Sequence, residues 1–379
     1  MFPHDVVYMP QLKWKAGEIR ALGTLPTPFA DRTLPVLKIT PGGGFDAIEE
    51  RVLSTVENIS LFGRRLTLAW GRRLAFIDAE LIDGEQHSRG LKQHPLTELL
   101  ERARLVGACA GPLVRLASSA AYKEAVKRYC EREAGAPICL CVSLSELETL
   151  PSLDALRTTV GDLGTMTERT VLLIDAGPIH VAEPAAFVQL LAGHLGRLAP
   201  RGAWLRTFWG ATTFPNKPKL KAGDVGRFPR GDWLVYKSII ESADEFASLP
   251  LFSDYALEYP SDYTPVRVPP TAHFRYSTQE DYLIFKGATT RKPNGYAAIF
   301  PVADRAAASG DFMGKGYSAG DAYIEALTRP GARTGNASIW RWASTDHHFR
   351  IVHSGLQSAL ALPIETSVPT ISQEQLLLV

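Results

Sequence analysis

The chain has 379 residues, of which 45% are hydrophobic and 21% are charged, and its formal net charge at pH 7 is +1. This composition excludes an intrinsically disordered chain, because it supplies enough apolar surface to build a core. A net charge near zero gives no global attraction to nucleic acid or anionic membranes, so such binding would need a local basic patch. No apolar run approaches the ~18 residues that span a bilayer, and we expect no membrane partner.

The four cysteines predict a reducing compartment rather than a disulfide framework. They are Cys109, Cys130, Cys139 and Cys141, and no two have the Cys-x-x-Cys spacing of a zinc or redox site. Residues 1–5 begin no basic region followed by an apolar stretch, which a secretory signal would require. We therefore expect a cytoplasmic protein with reduced, mostly buried thiols.

Short apolar segments alternate with helical patterns along the first two thirds of the chain. Most of these segments are continuous apolar runs, which is typical of parallel strands covered on both faces. The eight predicted strands are Val6–Leu12, Leu34–Ile39, Leu74–Asp78, Pro112–Leu116, Pro137–Val142, Val171–Asp175, Ala203–Phe208 and Asp254–Tyr259.

Amphipathic helices are predicted between these strands, at Ala16–Leu25, Phe45–Leu61, Pro95–Val106, Ala120–Glu133, Leu153–Leu163, Pro184–Leu198 and Trp233–Leu249. A repeated strand–helix order requires a parallel sheet with right-handed crossovers. Eight units predict an α/β fold of the TIM type, a closed (β/α)8 barrel. An open doubly wound sheet is the alternative, which is weakened because no glycine-rich dinucleotide-binding turn follows the first strand.

Insertions and a C-terminal extension are expected around this barrel. Residues 64–81 predict a hairpin that leads into the third strand, and Trp209–Gly231 predicts a long loop after the seventh strand. Beyond the eighth strand, His273–Ser277 and Asp281–Lys286 predict another hairpin. Three further helices are predicted near Tyr296–Ala308, Ala319–Leu327 and His347–Leu362.

We expect all of these elements to form one domain. A main barrel segment covers residues 1–262, and residues 263–371 complete and cover the barrel. The tail at residues 372–379 is expected to fray, as chain termini commonly do.

Functional side chains of such barrels lie at the carboxyl ends of the strands and in the loops that follow them. This rule selects charged residues of both signs, namely Lys13, Lys15, Glu18, Lys38, Asp78, Glu80, Arg115, Asp175, Arg206, Asp254 and Glu258. Asp78 and Asp175 are candidates for ligands of a divalent cation such as Mg²⁺, or for an acid–base pair. The alternative is that they cap the following helices or form ion pairs with nearby lysines, since Asp is common at strand-to-helix turns for that reason.

Two later features are ambiguous. The loop after the seventh strand carries the basic residues Lys217, Lys219, Lys221, Arg227 and Arg230. They suit contact with phosphate or a nucleic-acid backbone, and a solvated loop is the alternative. His347 and His348 are predicted at a helix start and on different helix faces, so they suit either packing or one site-facing ring rather than a shared metal.

Several segments resemble the bacterial and phage beta family proteins. The first is Tyr8–Glu18, with the sequence YMPQLKWKAGE. Later ones are Arg230–Trp233, Ser253–Tyr255, Arg275–Tyr276, Gly320–Asp321 and the run from Gly335 through Trp340 and Arg341 to His348. The chain departs from the family at Lys38, where a carboxylate is more frequent, and at Phe208–Gly210.

The resemblance implies a barrel-like protein of phages and of mobile or defence-associated loci, sometimes encoded beside nuclease-like genes. It does not imply a reaction. The matching positions at strand ends and in late loops are Lys13, Lys15, Glu18, Asp78, Asp175, Arg230, Asp232, Trp233, Asp254, Tyr255, Arg275, Tyr276, His347 and His348.

We therefore expect a phage-defence or phage-conflict protein whose charged pocket binds a phosphate-bearing ligand, a nucleotide or a nucleic acid. If the pocket is catalytic, a metal-assisted phosphoester hydrolase is the favoured class. The catalytic residues would then be Asp78 and Asp175 as metal ligands or acid–base groups, with Lys13 and His347. The ligand-binding residues would be Lys15, Glu18, Arg230, Asp254, Tyr255, Arg275 and Tyr276.

The alternative is a non-catalytic recognition or scaffold subunit that binds a phage protein or a partner nuclease. In that case the basic loop after the seventh strand and the apolar tail Leu376–Val379 would be contact surfaces.

Overall fold

Strands and helices alternate along the part of the chain that the computed structural model describes, which is residues 5–87, 90–180, 183–260, 269–291, 293 and 295–362. The strands are Tyr8–Lys13 (β1), Val36–Lys38 (β2), Phe45–Asp46 (β3), Arg51–Val52 (β4), Ala75–Asp78 (β5), Ala110–Arg115 (β6), Ile138–Ser143 (β7), Thr170–Pro178 (β8), Arg206–Thr212 (β9), Val225–Pro229 (β10), Leu251–Asp254 (β11), Thr271–Ser277 (β12) and Asp281–Thr289 (β13).

The α-helices of the same residues follow in chain order. They are Ala16–Thr24 (α1), Thr27–Ala30 (α2), Thr55–Trp70 (α3), Pro95–Leu105 (α4), Ala120–Arg132 (α5), Leu144–Thr149 (α6), Leu153–Asp162 (α7), Pro184–Leu198 (α8), Gly231–Glu241 (α9), Phe300–Ala307 (α10), Ala319–Leu327 (α11) and Ala337–Ala359 (α12). Short 3₁₀ turns span Glu80–His87, Thr167–Arg169, Ala243–Glu245 and Gly295–Ile299.

Eight of the strands close into a barrel in the order β1-β11-β9-β8-β7-β6-β5-β2. Every neighbouring pair is parallel, and β1 pairs with both β2 and β11, so the sheet has no open edge. The predicted TIM-type barrel is thereby confirmed, and the open doubly wound sheet is excluded.

The barrel interior is filled by side chains from alternate strand positions. Phe76, Leu113, Cys139, Leu173 and Phe208 are fully buried and form one apolar cluster inside the barrel. Such a packed interior is not a channel, so a ligand has access only at the ends of the barrel. The cysteines are free, and three of the four are buried.

The last helix, α12, completes the ring of helices around the barrel. It packs against α1 on one side. On the other side it approaches α9 so closely that a Cβ on Gly355 would lie 2.7 Å from Cζ2 of Trp233. In the family of TIM-type barrels this is the place of the helix that follows the eighth strand.

A second, three-stranded antiparallel sheet covers part of the barrel, in the order β10-β13-β12. Its hairpin, β12–β13, is the one predicted from the sequence. Its third strand, β10, lies in the segment that we predict as a long loop, so that prediction is wrong over Val225–Pro229. The reason is long-range, because the backbone of β10 pairs with β13 more than fifty residues later along the chain.

The predicted start of the second helix at Phe45 and the predicted hairpin at residues 64–81 are also wrong. Phe45–Asp46 and Arg51–Val52 form a small antiparallel ribbon, and the helix begins at Thr55 and continues to Trp70. Ser54 starts this helix with a capping box: its Oγ accepts from the Glu57 N–H at 3.2 Å, and the Glu57 carboxylate accepts from the Ser54 N–H at 2.8 Å. The predicted hairpin at residues 64–81 is instead the end of this helix followed by β5.

Two boundaries near the C-terminal half differ from the prediction. The eighth barrel strand is Leu251–Asp254 rather than Asp254–Tyr259, which places Glu258 in the loop beyond the strand. Helix α12 begins at Ala337, because the Asn336 side chain accepts from the N–H groups of Ser338 and Ile339. His347 and His348 therefore lie in the middle of a helix and not at its start.

The predicted tail at residues 372–379, with Leu376–Val379, lies outside the described residues. No helix in the described ranges is long and apolar enough to cross a membrane.

Candidate functional site

The carboxyl ends of the barrel strands surround a small cavity of about 20 Å³, which suffices for a single water molecule. Lys13, Lys38, Asp78, Tyr255 and Glu258 are among the residues that line it. Charged side chains from several strand ends therefore line one cavity, although Asp175 is not among them, and the cavity is too small for a nucleotide.

Asp78 is tied to the neighbouring strand by an ion pair. Its Oδ2 lies 2.7 Å from Nη2 of Arg115, and its Oδ1 accepts from the Glu80 N–H at 3.1 Å. Only 2% of Asp78 is exposed. Burial acts to raise the pKa of Asp78, but the charges of Arg115 and Lys38 outweigh it and lower the pKa. Asp78 is thus an ionised group whose two oxygens already have protein partners.

Asp175 accepts its hydrogen bonds from a tyrosine of the eighth-strand loop. The Tyr255 hydroxyl lies 2.7 Å from Oδ1 and 2.6 Å from Oδ2, and the Gly177 N–H donates to Oδ1 at 3.0 Å. Burial, together with the charge of Asp175, raises the pKa of Tyr255 well above its usual range, so the hydroxyl remains a donor.

These carboxylates do not fit the predicted Mg²⁺ site. The carboxylates of Asp78 and Asp175 are each satisfied by protein donors. Within the described ranges, no group of three or more His, Cys, Asp or Glu side chains is placed to hold a metal ion. We therefore derive no metal-assisted step from Asp78 and Asp175.

A third carboxylate, Glu258, lies between three cations. Its Oε1 is 3.4 Å from Nζ of Lys13, its Oε2 is 3.0 Å from Nη1 of Arg275, and Nη2 of Arg341 also contacts Oε2. Burial acts to raise the pKa of Glu258, but these cations outweigh it and hold the pKa well below its usual range. About a quarter of the Glu258 side chain is exposed, so the cluster is accessible from solvent.

A larger pocket of about 320 Å³, which we call the basic pocket, opens beside this cluster. Its charged lining residues are Lys13, Lys15, Glu18, Glu258, Arg275 and Arg341. Four cations against two carboxylates leave an excess of two positive charges. His273 also lines the pocket and adds no charge, since burial and the nearby Arg275 lower the pKa of His273 to about 3.

A neighbouring pocket of about 350 Å³ shares Glu258, His273 and Arg275 with the basic pocket and is also lined by Lys217 and Lys286. Positive charge therefore extends from the barrel mouth toward the three-stranded sheet. Arg227 of the predicted basic loop is not part of this surface, because it pairs with Asp281 (Nη1 to Oδ2, 2.6 Å) and with Asp311.

The turn that presents Tyr255 and Glu258 is held by Asp254, the last residue of β11. Oδ1 of Asp254 accepts from the Ala256 N–H at 2.9 Å, and Ala256 has a φ of +49°, which is unfavourable for a residue with a Cβ. Asp254 itself accepts from the Tyr8 hydroxyl at 2.7 Å and lies 2.9 Å from Nε2 of His348. Asp254 is fully buried, so it positions the turn rather than contacting a ligand.

Three other predicted site residues lie inside the protein and line neither the basic pocket nor the neighbouring pocket. Arg230 and His347 are fully buried, and Tyr276 is 1% exposed. The two ring nitrogens of His347 lie 2.8 Å from Oδ2 of Asp321 and from the Ser277 carbonyl oxygen, and the Tyr276 hydroxyl donates to Asp321 at 2.7 Å. The roles predicted for Arg230, Tyr276 and His347 do not fit these positions.

Ser277, His348 and Asp254 are hydrogen-bonded in the residue order of a serine hydrolase triad, but the two ring nitrogens of the histidine are exchanged. Ser277 Oγ is 2.7 Å from Nδ1 of His348, and His348 Nε2 is 2.9 Å from Oδ2 of Asp254. All three side chains are fully buried, so no substrate can reach the serine. The arrangement joins α12, β12 and β11 within the protein interior.

Sequence reasoning missed Arg341 as a pocket residue, and it named Glu258 only as a charge within the predicted eighth strand. Arg341 lies within the Gly335–His348 run of the resemblance, which is the only signal that points to it. Glu258 is assigned to a strand from the sequence, and its exposure to three cations follows only from the turn beyond β11.

With the site described, comparison with known proteins identifies the family. The family model of the Beta protein matches residues 8–353. The chain belongs to the Beta protein family. Every charged residue of the basic pocket lies within the matched range, and the resemblance noted from the sequence is confirmed.

No curated protein matches the sequence of this chain. Among solved structures, triosephosphate isomerase from Bartonella henselae matches with 14% identity and a TM-score of 0.35, over 65% of this chain and 92% of that chain. The barrel of this chain is established by its own strand order.

Proposed function

We propose that this protein binds a phosphate-bearing ligand, a nucleotide or a nucleic-acid end, in the basic pocket. The observation that carries the proposal is the excess of cations, Lys13, Lys15, Arg275 and Arg341, over carboxylates around one cavity of ligand size. A volume of about 320 Å³ falls at the lower end of the range of roughly 300–1,000 Å³ typical of small-molecule sites.

The two arginines suit phosphate particularly well. A guanidinium donates two parallel N–H bonds to phosphate oxygens, and such bonds strengthen where water is partly excluded. About one fifth of each side chain, Arg275 and Arg341, is exposed. Burial and the nearby Arg341 lower the pKa of Arg275 to about 10, so its guanidinium remains charged at neutral pH.

Glu258 occupies the place of an anion among these cations. We infer that a phosphate competes with this carboxylate for Arg275 and Arg341. Glu258→Gln should therefore bind phosphate more tightly than the wild type, which distinguishes a ligand site from a purely structural ion cluster.

The test is calorimetric titration of the full chain with inorganic phosphate and with AMP. Removing a charged hydrogen bond costs about 1.5–3 kcal/mol, so Arg275→Gln should weaken binding by roughly ten- to a hundredfold. Arg128→Gln, an exposed arginine paired with Glu124 on α5, is the matched control and should bind as the wild type does. Lys15→Gln provides a second pocket variant in case Arg275→Gln does not fold.

If millimolar phosphate and AMP neither bind the wild type nor raise its melting temperature, the proposed function is wrong. The proposal would also be contradicted if Arg128→Gln and Arg275→Gln reduced the affinity for phosphate and AMP by the same factor. The proposal concerns binding and assigns no reaction, because Asp78 and Asp175 already accept hydrogen bonds from protein donors.

For the biological setting we propose a cytoplasmic role in phage defence or phage conflict, which is supported by the resemblance to proteins of phage and defence loci. Plaque counts on cells that carry the wild type or Arg275→Gln test it. The alternative, a scaffold for a phage protein or partner nuclease, predicts that deletion of Lys217–Lys221 abolishes protection while Arg275→Gln retains it.

A further inference from the structure

We propose that Phe45 is a base-stacking surface of the basic pocket, so that its ligand is a nucleoside phosphate rather than free phosphate or a sugar phosphate. This inference rests on the proposed function and names the ligand class of the same site. The juxtaposition that supports it is an open aromatic ring on the wall of a pocket rich in phosphate-binding cations.

Phe45 is unusually exposed for a phenylalanine, with 69% of the residue accessible. It lies on the β3–β4 ribbon directly opposite Val52, which is 56% exposed, and Ile48 between the strands is 38% exposed. A cluster of large apolar side chains left in water commonly marks a binding surface, because it gains free energy only when something covers it.

The ribbon that carries Phe45 is fixed in place by a bidentate ion pair. Nη1 and Nη2 of Arg65 lie 2.8 and 3.0 Å from the two carboxylate oxygens of Asp46, and Nη2 also lies 3.0 Å from Oε1 of Glu49. Arg65 is buried in α3, so it anchors the residue next to Phe45 to the barrel. A backbone segment held in this way loses little conformational freedom when a ligand binds.

Among the described aromatic residues that line the pocket, Phe45 has the open ring face. Trp340 is only 2% exposed, and its indole N–H donates to the Thr334 carbonyl at 2.8 Å. Any of the nucleobases can stack on an aromatic ring, because each has a flat π-face. Stacking of one base changes the binding affinity by roughly tenfold or more. The cations would then hold the phosphate of the same nucleotide.

The experiment compares AMP, ribose 5-phosphate and inorganic phosphate by calorimetry with the full chain. We expect the wild type to bind AMP at least about tenfold more tightly than ribose 5-phosphate. Phe45→Ala should remove that difference while keeping the affinity for ribose 5-phosphate, and Phe45→Trp should restore it. Leu68→Ala is the matched control, because Leu68 is also an exposed apolar residue but lies on α3 and not in the pocket. It should leave the affinities for all three ligands unchanged.

Each contrary result has a distinct meaning. If the wild type binds AMP and ribose 5-phosphate equally, the stacking inference is wrong and phosphate binding stands. If Phe45→Ala weakens both ligands equally, Phe45 supports the pocket structurally and the inference is again wrong. If none of the three ligands binds the wild type, the proposed function fails and the inference fails with it.

Discussion

At the scale of single residues, the barrel mouth is organised by pairs in which one member is deeply buried. Asp78 is almost inaccessible, and its partner Arg115 is only partly covered, with 26% of the side chain exposed. The pair joins β5 to β6 at the end where ligands approach. Asp78 therefore depends on Arg115 for its charge, and its contribution is structural before any other role is assigned.

We predict that Arg115→Gln lowers the free energy of unfolding by about 3–5 kcal/mol at pH 7, because it leaves a buried carboxylate without its counter-charge. The double variant Asp78→Asn, Arg115→Gln should recover part of this loss. Since the folded-state pKa of Asp78 is lowered, its stabilising contribution is present above about pH 4, the pKa in the unfolded chain, and is lost as the pH falls further.

Urea unfolding followed by tryptophan fluorescence measures these free energies. Arg128→Gln, whose side chain is 64% exposed, should stay within about 1 kcal/mol of the wild type. If Arg115→Gln lowers the free energy of unfolding by less than about 1 kcal/mol, Asp78 does not depend on its ion pair with Arg115.

At the scale of elements, α11 and α12 pack with their backbones in direct contact. A Cβ on Gly320 would lie 2.1 Å from the Ala343 carbonyl oxygen, and the Gly320 N–H donates to Oδ2 of Asp346 at 2.8 Å. The glycine is required here for close approach and not for an unusual backbone angle. This contact fixes the height of α11 along the long final helix.

We predict that Gly320→Ala lowers the free energy of unfolding by about 1–3 kcal/mol, because α11 must move away from α12. Gly196→Ala is the matched control in α8, where a Cβ meets nothing within 4 Å. That change should raise the stability by up to about 1 kcal/mol through helix propensity. If thermal melting shows both variants to be stabilised, the close approach of α11 and α12 is not rigid.

At the scale of the whole molecule, α12 links the C-terminal extension to the first strands and helices of the barrel. His348 contacts Asp254 at the end of β11, and Nε2 of His353 lies 2.9 Å from Oγ1 of Thr33. Arg341 reaches Glu18 of α1 at 3.5 Å. We propose that the segments 1–262 and 263–371 distinguished in the sequence form one cooperative unit.

We predict that a chain ending at residue 262 does not fold, because removal of α12 exposes the apolar faces of α1 and α9. A chain ending at residue 362, which keeps every described element, is the control and should unfold in one cooperative transition. Near-UV circular dichroism and urea unfolding distinguish the two. A sharp unfolding transition in the shorter chain would show that the barrel is an independent domain.

The sequence predicts the elements that depend on neighbouring residues and misses those that depend on distant ones. Seven of the eight predicted barrel strands overlap the observed ones by several residues, because burial on both faces of a parallel strand leaves an apolar run in the sequence. The eighth strand, Leu251–Asp254, shares only Asp254 with its prediction. The ribbon at Phe45 and the strand at Val225–Pro229 are missed, because neither has such a run. The ribbon is held by the buried Arg65, which pairs with Asp46. The strand at Val225–Pro229 is held by its pairing with β13.

The order of β/α units along the chain was determined by the sequence alone, since apolar periodicity and helix caps act over a few neighbouring residues. The membership of the charged site was decided by tertiary structure, since Glu258 and Arg341 are 83 positions apart and meet only because α12 closes the ring. Tertiary packing likewise placed His347 and Arg230 inside the protein, because burial depends on which elements cover a residue and not on the residue itself.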